Sequence, residues 1–339
     1  MVREMTLYIT EELPLEMKFF TLMDLLITNQ VESRIESFVF LGIFYLQILS
    51  SFFADQIRVF DTVNSKSDRI LNYIERIVRL KELFHDNYQG MKAFLIIFFI
   101  IVIFIMIHFF LSVLGVKRSS FYSLNETIIN YYIKGFIFIA YNIILDLCFS
   151  NFCFGSDENN PHFKDAKCSV KSNIGIIIIS ILFIILSIVL NIFTQIFYCD
   201  SFYLSNSYYS KINCNYDFYW SLNNLFNSVL LMQAKYLTRE IFLVYHLFIS
   251  IIFFIYYINT LLYYDRITNL FAGLFHAVYA WTSIFFMIFA YLDFKEKAII
   301  YILTCIVVCF FYWNYKSKIE GEIYLDTPFH KIKNKFYLL

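Results

Sequence analysis

An uncharged stretch from Ile174 to Phe197, IGIIIISILFIILSIVLNIFTQIF, constrains this chain more than any other segment. A helix of its 24 residues is about 36 Å long at ~1.5 Å per residue, enough to cross a hydrocarbon core of about 30 Å. A helix in the core of a soluble protein does not need apolar surface around its whole circumference. The stretch therefore predicts a transmembrane helix in an all-α, polytopic membrane protein.

The same stretch carries four polar residues that share one helical face. Ser180, Ser187, Asn191 and Thr194 follow one another at intervals of seven, four and three residues. Lipid cannot hydrogen-bond an amide or a hydroxyl, so this face should contact other helices. The pattern predicts that the helix forms the inner wall of a bundle.

Composition agrees with a membrane protein and excludes some partners. The chain of 339 residues is 60% hydrophobic and 21% aromatic, and only 16% of its residues are charged, against about 25% in soluble domains. Its net charge of zero gives no argument for nucleic acid as a partner. The bilayer itself is the expected partner, together with other membrane subunits.

Apolar stretches along the chain predict a transmembrane bundle over residues 35–314, with seven spans. These cover 37–54, 93–114, 131–153, 174–198, 241–259, 270–292 and 298–314. Residues 218–234 contain polar residues on one helical face, Ser221, Asn224 and Ser228, but none of these is charged. The stretch is therefore predicted to be either a re-entrant segment or an eighth span.

The flanking segments look amphipathic or basic. Residues 1–34 predict an interfacial amphipathic helix, and 66–86 predict a second helix at the surface. The acidic amino terminus has no apolar run typical of a cleavable signal peptide. Residues 315–339 form a lysine-containing tail.

Two signals disagree about which side of the membrane each loop faces. With seven spans, lysine and arginine counts place the amino terminus outside and the loop 154–173 in the cytoplasm. Cys153 and Cys168 bracket that loop at a spacing that a disulfide could close in an oxidising compartment. With seven spans, the cytoplasmic placement of the loop and the disulfide cannot both be correct. With eight spans, the lysine and arginine counts on the two sides are nearly even.

Motifs of known chemistry are absent from the sequence. It contains no HExxH, GxxxxGK, GxGxxG or CxxC, so we expect no catalytic residues, no metal site and no cofactor. The spans also contain no Pro and few Gly, whereas transporters with broken helices usually show such interruptions. These observations favour a protein that is not an enzyme.

Asp146 and Asn142, one turn apart in the third predicted span, are the strongest candidates for a functional site. An ionisable group at mid-bilayer costs at least ~2.5 kcal/mol. Asp146 is either hydrogen-bonded to a neighbour such as Asn191, or part of an ion or proton site with His108 or His246. The two asparagines are expected to form hydrogen bonds between helices.

The two intramembrane histidines have a simpler interpretation as well. His108 and His246 each have a serine one turn further on, Ser112 and Ser250. We expect these serines to hydrogen-bond neutral imidazoles, unless one histidine is the partner of Asp146.

Small residues predict one close helix contact. Gly273, Ala277 and Ala280 form a strip in the span 270–292 along which a neighbouring backbone can approach. Trp281 lies off this strip. Ordinary packing within the bundle explains the pattern.

Three stretches carry a resemblance to a known family. LQILSSFF at 46–53 ends the first span, and a loop from Cys153 through HFKDAKCS to Ser172 precedes the long Ile/Phe helix. The segment 263–285, YYDRITNLFAGLFHAVYAWTSIF, leads into a helix that contains tryptophan. Over residues 35–290 the chain resembles the membrane region of the Tiny macrocysts protein B-like family of ciliates and other protists.

This resemblance implies a role in sensing or signalling at a surface membrane, without catalysis, and an exoplasmic loop 154–173. Family members commonly continue into cytosolic PAS domains, whereas this sequence ends at Leu339, which suggests a shortened member. Leu262 also replaces the proline expected before Tyr263.

The sequence therefore favours a non-enzymatic sensory, signalling or scaffolding component of a membrane. The alternative is a channel or transporter subunit with a polar path near Asp146 and Asn191. The identity of any ligand stays open.

Overall fold

The computed structural model is helical in almost every part that it describes. The described residues are 15–19, 22, 34–53, 84, 86–114, 129, 131–133, 135, 136, 140–152, 160, 163, 166, 170–197, 215–233, 239–259, 265–292 and 297–326. Within these ranges no strand occurs, which confirms the predicted all-α class.

Eight α-helices with defined bounds organise these residues. They are α1 (Arg34–Ser50), α2 (Tyr88–Leu114), α3 (Tyr141–Phe149), α4 (Val170–Phe197), α5 (Asn215–Gln233), α6 (Arg239–Asn259), α7 (Arg266–Phe289) and α8 (Lys297–Asp326). A 3₁₀ turn, Ser51–Phe53, continues α1.

Five of these helices are long and apolar enough to cross a membrane. The qualifying segments, within α2, α4, α6, α7 and α8, are Tyr88–Val113, Asn173–Phe193, Arg239–Asn259, Ile267–Phe289 and Ile299–Lys316. These helices are compatible with a multi-pass membrane protein, but the predicted count of seven or eight spans is not confirmed. In α1 only the shorter segment Phe38–Ser50 is apolar.

Two predicted segments are only partly covered by the helices with defined bounds. In the predicted span 131–153 the structure describes α3, which has 9 residues, and the helical residues 131–133, 135, 136 and 140 before it; the rest of the segment before α3 lies outside the described residues. The tail predicted from residue 315 begins as helix, because α8 continues to Asp326.

Burial separates the helix at the centre of the bundle from those at its periphery. In the most apolar window of α7, 56% of the residues are buried, against 11% for α2. The isoleucines and phenylalanines of α2 are exposed around most of its circumference, which suits contact with lipid. Asp265 precedes α7 and caps it: its carboxylate accepts a hydrogen bond from the backbone N–H of Thr268 at 2.8 Å.

Two apolar cores hold the helices together. The first, here called the α7 core, joins α1, α5, α6, α7 and α8 through large aromatic residues such as Phe52, Trp220 and Phe286. The second, the α4 core, joins α2, α3 and α4 through Leu95, Ile144 and Phe183. Polar residues on α3, α4 and α5 lie between them.

A small third cluster involves the amino-terminal segment. Leu22 is buried with Val113 and Ile129, and the Phe19 ring lies 5.4 Å from that of Phe193 on α4. The described part of the predicted interfacial segment 1–34 consists of the helical residues 15–19, Leu22 and Arg34, the first residue of α1. The second predicted surface helix, 66–86, lies almost wholly outside the described residues.

Candidate functional site: buried polar networks and an aromatic groove

The polar face predicted on α4 lies inside the bundle. Ser180, Ser187 and Asn191 are all buried. The isoleucines on the opposite face, such as Ile178 and Ile185, are exposed. The side chain of Thr194 lies outside the described residues.

Amides on α3 and α4 connect neighbouring helices. The Asn142 Nδ2 donates to Gln47 Oε1 on α1 at 2.6 Å. Asn151, just past α3, donates to Ser180 Oγ at 3.1 Å, and Ser221 Oγ on α5 donates to Asn191 Oδ1 at 3.3 Å. Each of these bonds lies between elements remote in sequence.

Several buried polar atoms in the same region have no protein partner. We call this region the polar seam; it comprises Gln47, Asn142, Ser187, Asn191, Ser221 and Asn224. Within the described part of the chain, Ser187 Oγ, Asn142 Oδ1 and both side-chain polar atoms of Asn224 accept or donate no hydrogen bond. Such atoms are costly in a dry interior, and ordered water commonly satisfies them.

Asp146 is half-buried on α3. Its backbone carbonyl accepts the Ser150 hydroxyl at 2.7 Å. His246 is not positioned to be its partner, because both ring nitrogens of His246 bond to other residues. Of the alternatives for Asp146, the one with His246 as its partner is therefore contradicted, while a hydrogen bond to a neighbour such as Asn191 and a site with His108 stay predictions.

The serines predicted to hold the two histidines bond to backbone carbonyls. Ser112 donates to the carbonyl oxygen of His108 at 2.8 Å, and His108 itself is half-buried on α2. Ser250 donates to the carbonyl of Leu247 at 3.1 Å. The prediction that Ser250 satisfies the ring of His246 is wrong, because a serine hydroxyl one turn away on a helix reaches the backbone more easily than a ring pointing inward.

His246 is held instead by residues from α5 and α7. Its Nε2 lies 2.9 Å from Asn227 Oδ1, and its Nδ1 lies 2.8 Å from the Tyr279 hydroxyl. An amide oxygen only accepts, so Nε2 carries the proton and Nδ1 accepts from Tyr279. We call these three residues the His246 network.

A second histidine, His276 on α7, joins α1 and α5. Its Nε2 lies 2.9 Å from the Tyr45 hydroxyl and is also in contact with the hydroxyl of Tyr216. The Trp220 ring packs edge-on against the imidazole, with 5.0 Å between centroids. His276 and the two tyrosines form the His276 network, which is completely buried in the α7 core.

The small-residue strip lies where α7 meets its neighbours. Gly273, Ala277 and Ala280 are all buried. A Cβ added at Gly273 would collide with the hydroxyl of Tyr312 on α8 and the ring of Tyr257 on α6. Glycine at 273 therefore allows these two aromatic side chains to approach α7 closely.

A cleft between α5 and α6, which we call the aromatic groove, has a volume of about 440 Å³. Its lining is uncharged and consists of Tyr216, Tyr219, Leu222, Asn223, Phe226, Tyr245, Ile249, Ile252, Phe253 and Tyr256. Tyr219, Phe226 and Ile252 each expose more than half of their surface. The groove is thus open on the outer, apolar surface of the bundle.

One polar side chain of the groove lacks a partner for its donor. Asn223 is only 4% exposed. Its Oδ1 accepts from the Tyr245 hydroxyl at 3.0 Å. Its Nδ2 makes no hydrogen bond to a described residue, and the amide also lies beside the Tyr279 hydroxyl of the His246 network.

The metal-ligating side chains and the cysteines of the described residues form neither a metal site nor a disulfide. No three His, Cys, Asp or Glu side chains within the described ranges come together as a metal site. Cys148, Cys305 and Cys309 are free thiols. Cys153 and Cys168, the predicted disulfide pair, lie outside the described residues.

The sequence contained one unused signal for the His276 network. Asn269, His276 and Ser283 recur every seven residues along α7, and all three are completely buried. A polar residue repeated at that interval shares one face of a helix. The tyrosines that complete the network come from distant helices and have no local signal.

Comparison with protein-family models, with curated proteins and with solved structures finds no match to this chain. Fold and site together define the class as an all-helical protein with several apolar helices long enough to cross a bilayer. The resemblance to the Tiny macrocysts protein B-like family stays a prediction.

Proposed function

We propose that this protein is a non-enzymatic sensory component of a membrane, in which the aromatic groove receives the signal and the His246 network responds to it. One observation carries the proposal. Asn223 and Asn227 lie one turn apart on α5; Asn223 lines the groove, and Asn227 bonds to His246.

The two asparagines hold α5 to α6 through consecutive residues of α6. Asn223 bonds to Tyr245 at 3.0 Å, and Asn227 bonds to His246 at 2.9 Å. A molecule that fills the groove presses on the walls contributed by these two helices. Because the groove and the network share both helices, a change in the α5–α6 separation reaches His246 directly.

From His246 the contacts continue into the centre of the bundle. Tyr279 bonds to His246 and packs against Trp220 at 5.8 Å between ring centroids. Trp220 in turn contacts His276. A ligand that prefers one spacing of α5 and α6 would shift the population of the whole α7 core toward that arrangement. The family resemblance also supports a sensory role.

The test fills the groove without any ligand. Trp281→Phe and Trp313→Phe leave Trp220 as the sole reporter among the three tryptophans. In that protein, Ile252→Phe places a ring in the groove mouth, and we expect a shift in Trp220 emission and a change in its quenching by acrylamide.

The matched control is Ile255→Phe, on the same helix but outside the groove. Ile255 and Ile252 are similarly exposed, at 52% and 57%. Equal emission spectra for the two variants and their parent would reject the groove as an input site.

A second function, a channel or transporter subunit, is favoured by the polar seam. Unpartnered atoms of Ser187, Asn142 and Asn224 suit water or ions between α3, α4 and α5. We expect such a subunit to conduct ions after reconstitution into liposomes, and Asn224→Leu or Asp146→Asn to lower the flux. Flux that is absent, or unchanged in both variants, would reject this alternative.

A further inference from the structure

We propose that the aromatic groove binds a neutral, ring-containing lipid of the sterol class, whose hydroxyl oxygen accepts a hydrogen bond from Asn223 Nδ2. The inference rests on the proposed sensory function and names the chemistry of its ligand. Three properties of the groove, its charge, its donor and its shape, select this class.

The absence of charged residues in the lining disfavours ionic headgroups. All ten side chains around the groove are uncharged. An anionic or cationic group placed there would lose its hydration without gaining an opposite charge, which is strongly unfavourable. A neutral ligand avoids that cost.

The unpartnered donor defines one end of the ligand. Tyr245 already occupies Asn223 Oδ1, so the amide can offer only its N–H groups to a ligand. Its Nδ2 is buried and has no partner among the described residues. Nδ2 is closed to solvent in this structure, so a ligand's hydroxyl or carbonyl oxygen reaches it only when α5 and α6 separate at the groove. The oxygen then accepts from Nδ2 and removes the penalty of an unsatisfied donor.

Aromatic walls favour rigid rings over a flexible chain. Six of the lining residues are Tyr or Phe, and the other apolar members are Leu222, Ile249 and Ile252. A fused ring system packs flat against such rings and loses little conformational entropy on binding, whereas an acyl chain loses several rotors. A volume of about 440 Å³ is within the range of small-ligand sites.

Access to the groove is lateral. Its exposed members, Tyr219, Phe226 and Ile252, lie on α5 and on the span α6. A lipid dissolved in the bilayer therefore reaches the groove without crossing water.

The experiment measures energy transfer from Trp220 to dehydroergosterol, a fluorescent neutral sterol, in the full chain with Trp281→Phe and Trp313→Phe. Trp220 packs 4.9 Å from the ring of Phe253 in the groove wall. We expect saturable transfer that unlabelled cholesterol removes. Cholesterol sulfate and oleyl alcohol should compete at least about tenfold less well, because one is charged and the other is a flexible chain.

Paired variants locate the site. Asn223→Leu should weaken binding by about five- to tenfold, as expected for one lost hydrogen bond. Asn224 is the next residue but does not line the groove. Asn224→Leu should therefore change the affinity by less than about twofold, because it removes no hydrogen bond to the ligand. Ile252→Phe should abolish saturable transfer, while Ile255→Phe should not.

Three results would overturn the ligand class: transfer without saturation, oleyl alcohol competing as well as cholesterol, or equal losses in Asn223→Leu and Asn224→Leu. The sensory function fails separately. If sterol binds but neither it nor Ile252→Phe alters Trp220 emission, the groove is a lipid site without a signal. If Ile252→Phe alters the emission and no sterol binds, the function stands and the ligand class is wrong.

Discussion

The His276 network and the polar seam are both buried in the bundle, yet they differ in how their hydrogen bonds are made. In the α7 core, two tyrosine hydroxyls bond to His276, and both ring nitrogens of His246 have partners. In the polar seam, Ser187 Oγ and both polar atoms of Asn224 have none among the described residues.

This difference separates two uses of a buried polar group. A satisfied network fixes the relative positions of the helices that contribute to it, and removing one member leaves the others unpaired. An unsatisfied group stabilises nothing within the protein and is a place for water, an ion or a polar ligand atom. The two histidine networks of the α7 core thus suit a rigid frame, although Trp220 Nε1 in that core has no partner among the described residues. The seam suits a hydrated or occupied interior.

The largest expected effect on stability comes from His276→Leu, which removes the central residue of the His276 network. The substitution removes the ring nitrogen that the hydroxyls of Tyr45 and Tyr216 both contact. At ~1–3 kcal/mol for each buried polar group that loses such a contact, we expect a loss of about 3 kcal/mol in the free energy of unfolding. Denaturation in detergent micelles, followed by near-UV circular dichroism, measures it.

A double variant provides the control for this loss. Adding Tyr45→Phe to His276→Leu removes one of the two hydroxyls that lost its contact with the imidazole and should recover about 1 kcal/mol. If the second substitution destabilises further, the cost does not come from unsatisfied hydroxyls.

The next effect tests the packing around α7. Gly273→Ala places a Cβ against the Tyr312 hydroxyl and the Tyr257 ring, and overpacking of this kind costs about 1–3 kcal/mol. Melting temperature in micelles reports the change.

Gly175→Ala on α4 is the matched substitution, because a Cβ there meets no atom within 4 Å. It should stabilise the protein by about 0.5–1 kcal/mol through helix propensity. Similar shifts for both variants would mean that α7 is no more tightly packed than α4.

A smaller effect is expected when one hydrogen bond of the His246 network is compared with one hydrogen bond of the polar seam. Double-mutant cycles of Asn227→Ala with His246→Ala, and of Asn191→Ala with Ser221→Ala, isolate each pairwise energy. We expect about 1 kcal/mol for the first pair at 2.9 Å. The second pair, at 3.3 Å, should give about half of that because its bond is longer. A larger energy for the seam pair would contradict the distinction drawn here.

The smallest expected effect is Asn224→Leu in the seam. Since neither polar atom of Asn224 has a protein partner, the substitution should change stability by about 0 to 1 kcal/mol, in the stabilising direction. The same unfolding assay measures it. A loss of more than about 1 kcal/mol would show that Asn224 holds an ordered water or ion that supports the bundle.

The elements predicted best were those with a uniform local pattern. Residues 174–198 were predicted as a span, and α4 covers Val170–Phe197, because a helix without charge over this length has one stable environment. The polar stretch 218–234 left two topologies open, and its described residues, 218–233, belong to the nineteen-residue helix α5. Composition alone does not say whether such a helix crosses the membrane.

Hydrogen-bond partners were the least predictable feature. The prediction for His246 took the nearest serine in sequence, whereas the actual partners lie on α5 and α7. Tyr45 and His276 are 231 residues apart, and tyrosine is frequent throughout the chain, so neither distance nor composition selects that pair.

The sequence by itself determined that the chain is all-α, that several helices are apolar enough to cross a bilayer, and that α4 has one polar face. These properties follow from local periodicity and from the cost of unpaired polar groups in lipid. Only the tertiary structure decided that both ring nitrogens of His246 have partners, that two tyrosine hydroxyls contact His276, that neither polar atom of Asn224 has a partner among the described residues, and that α5 and α6 leave a groove. Those features depend on side chains from different helices, whose contacts form only when the bundle packs.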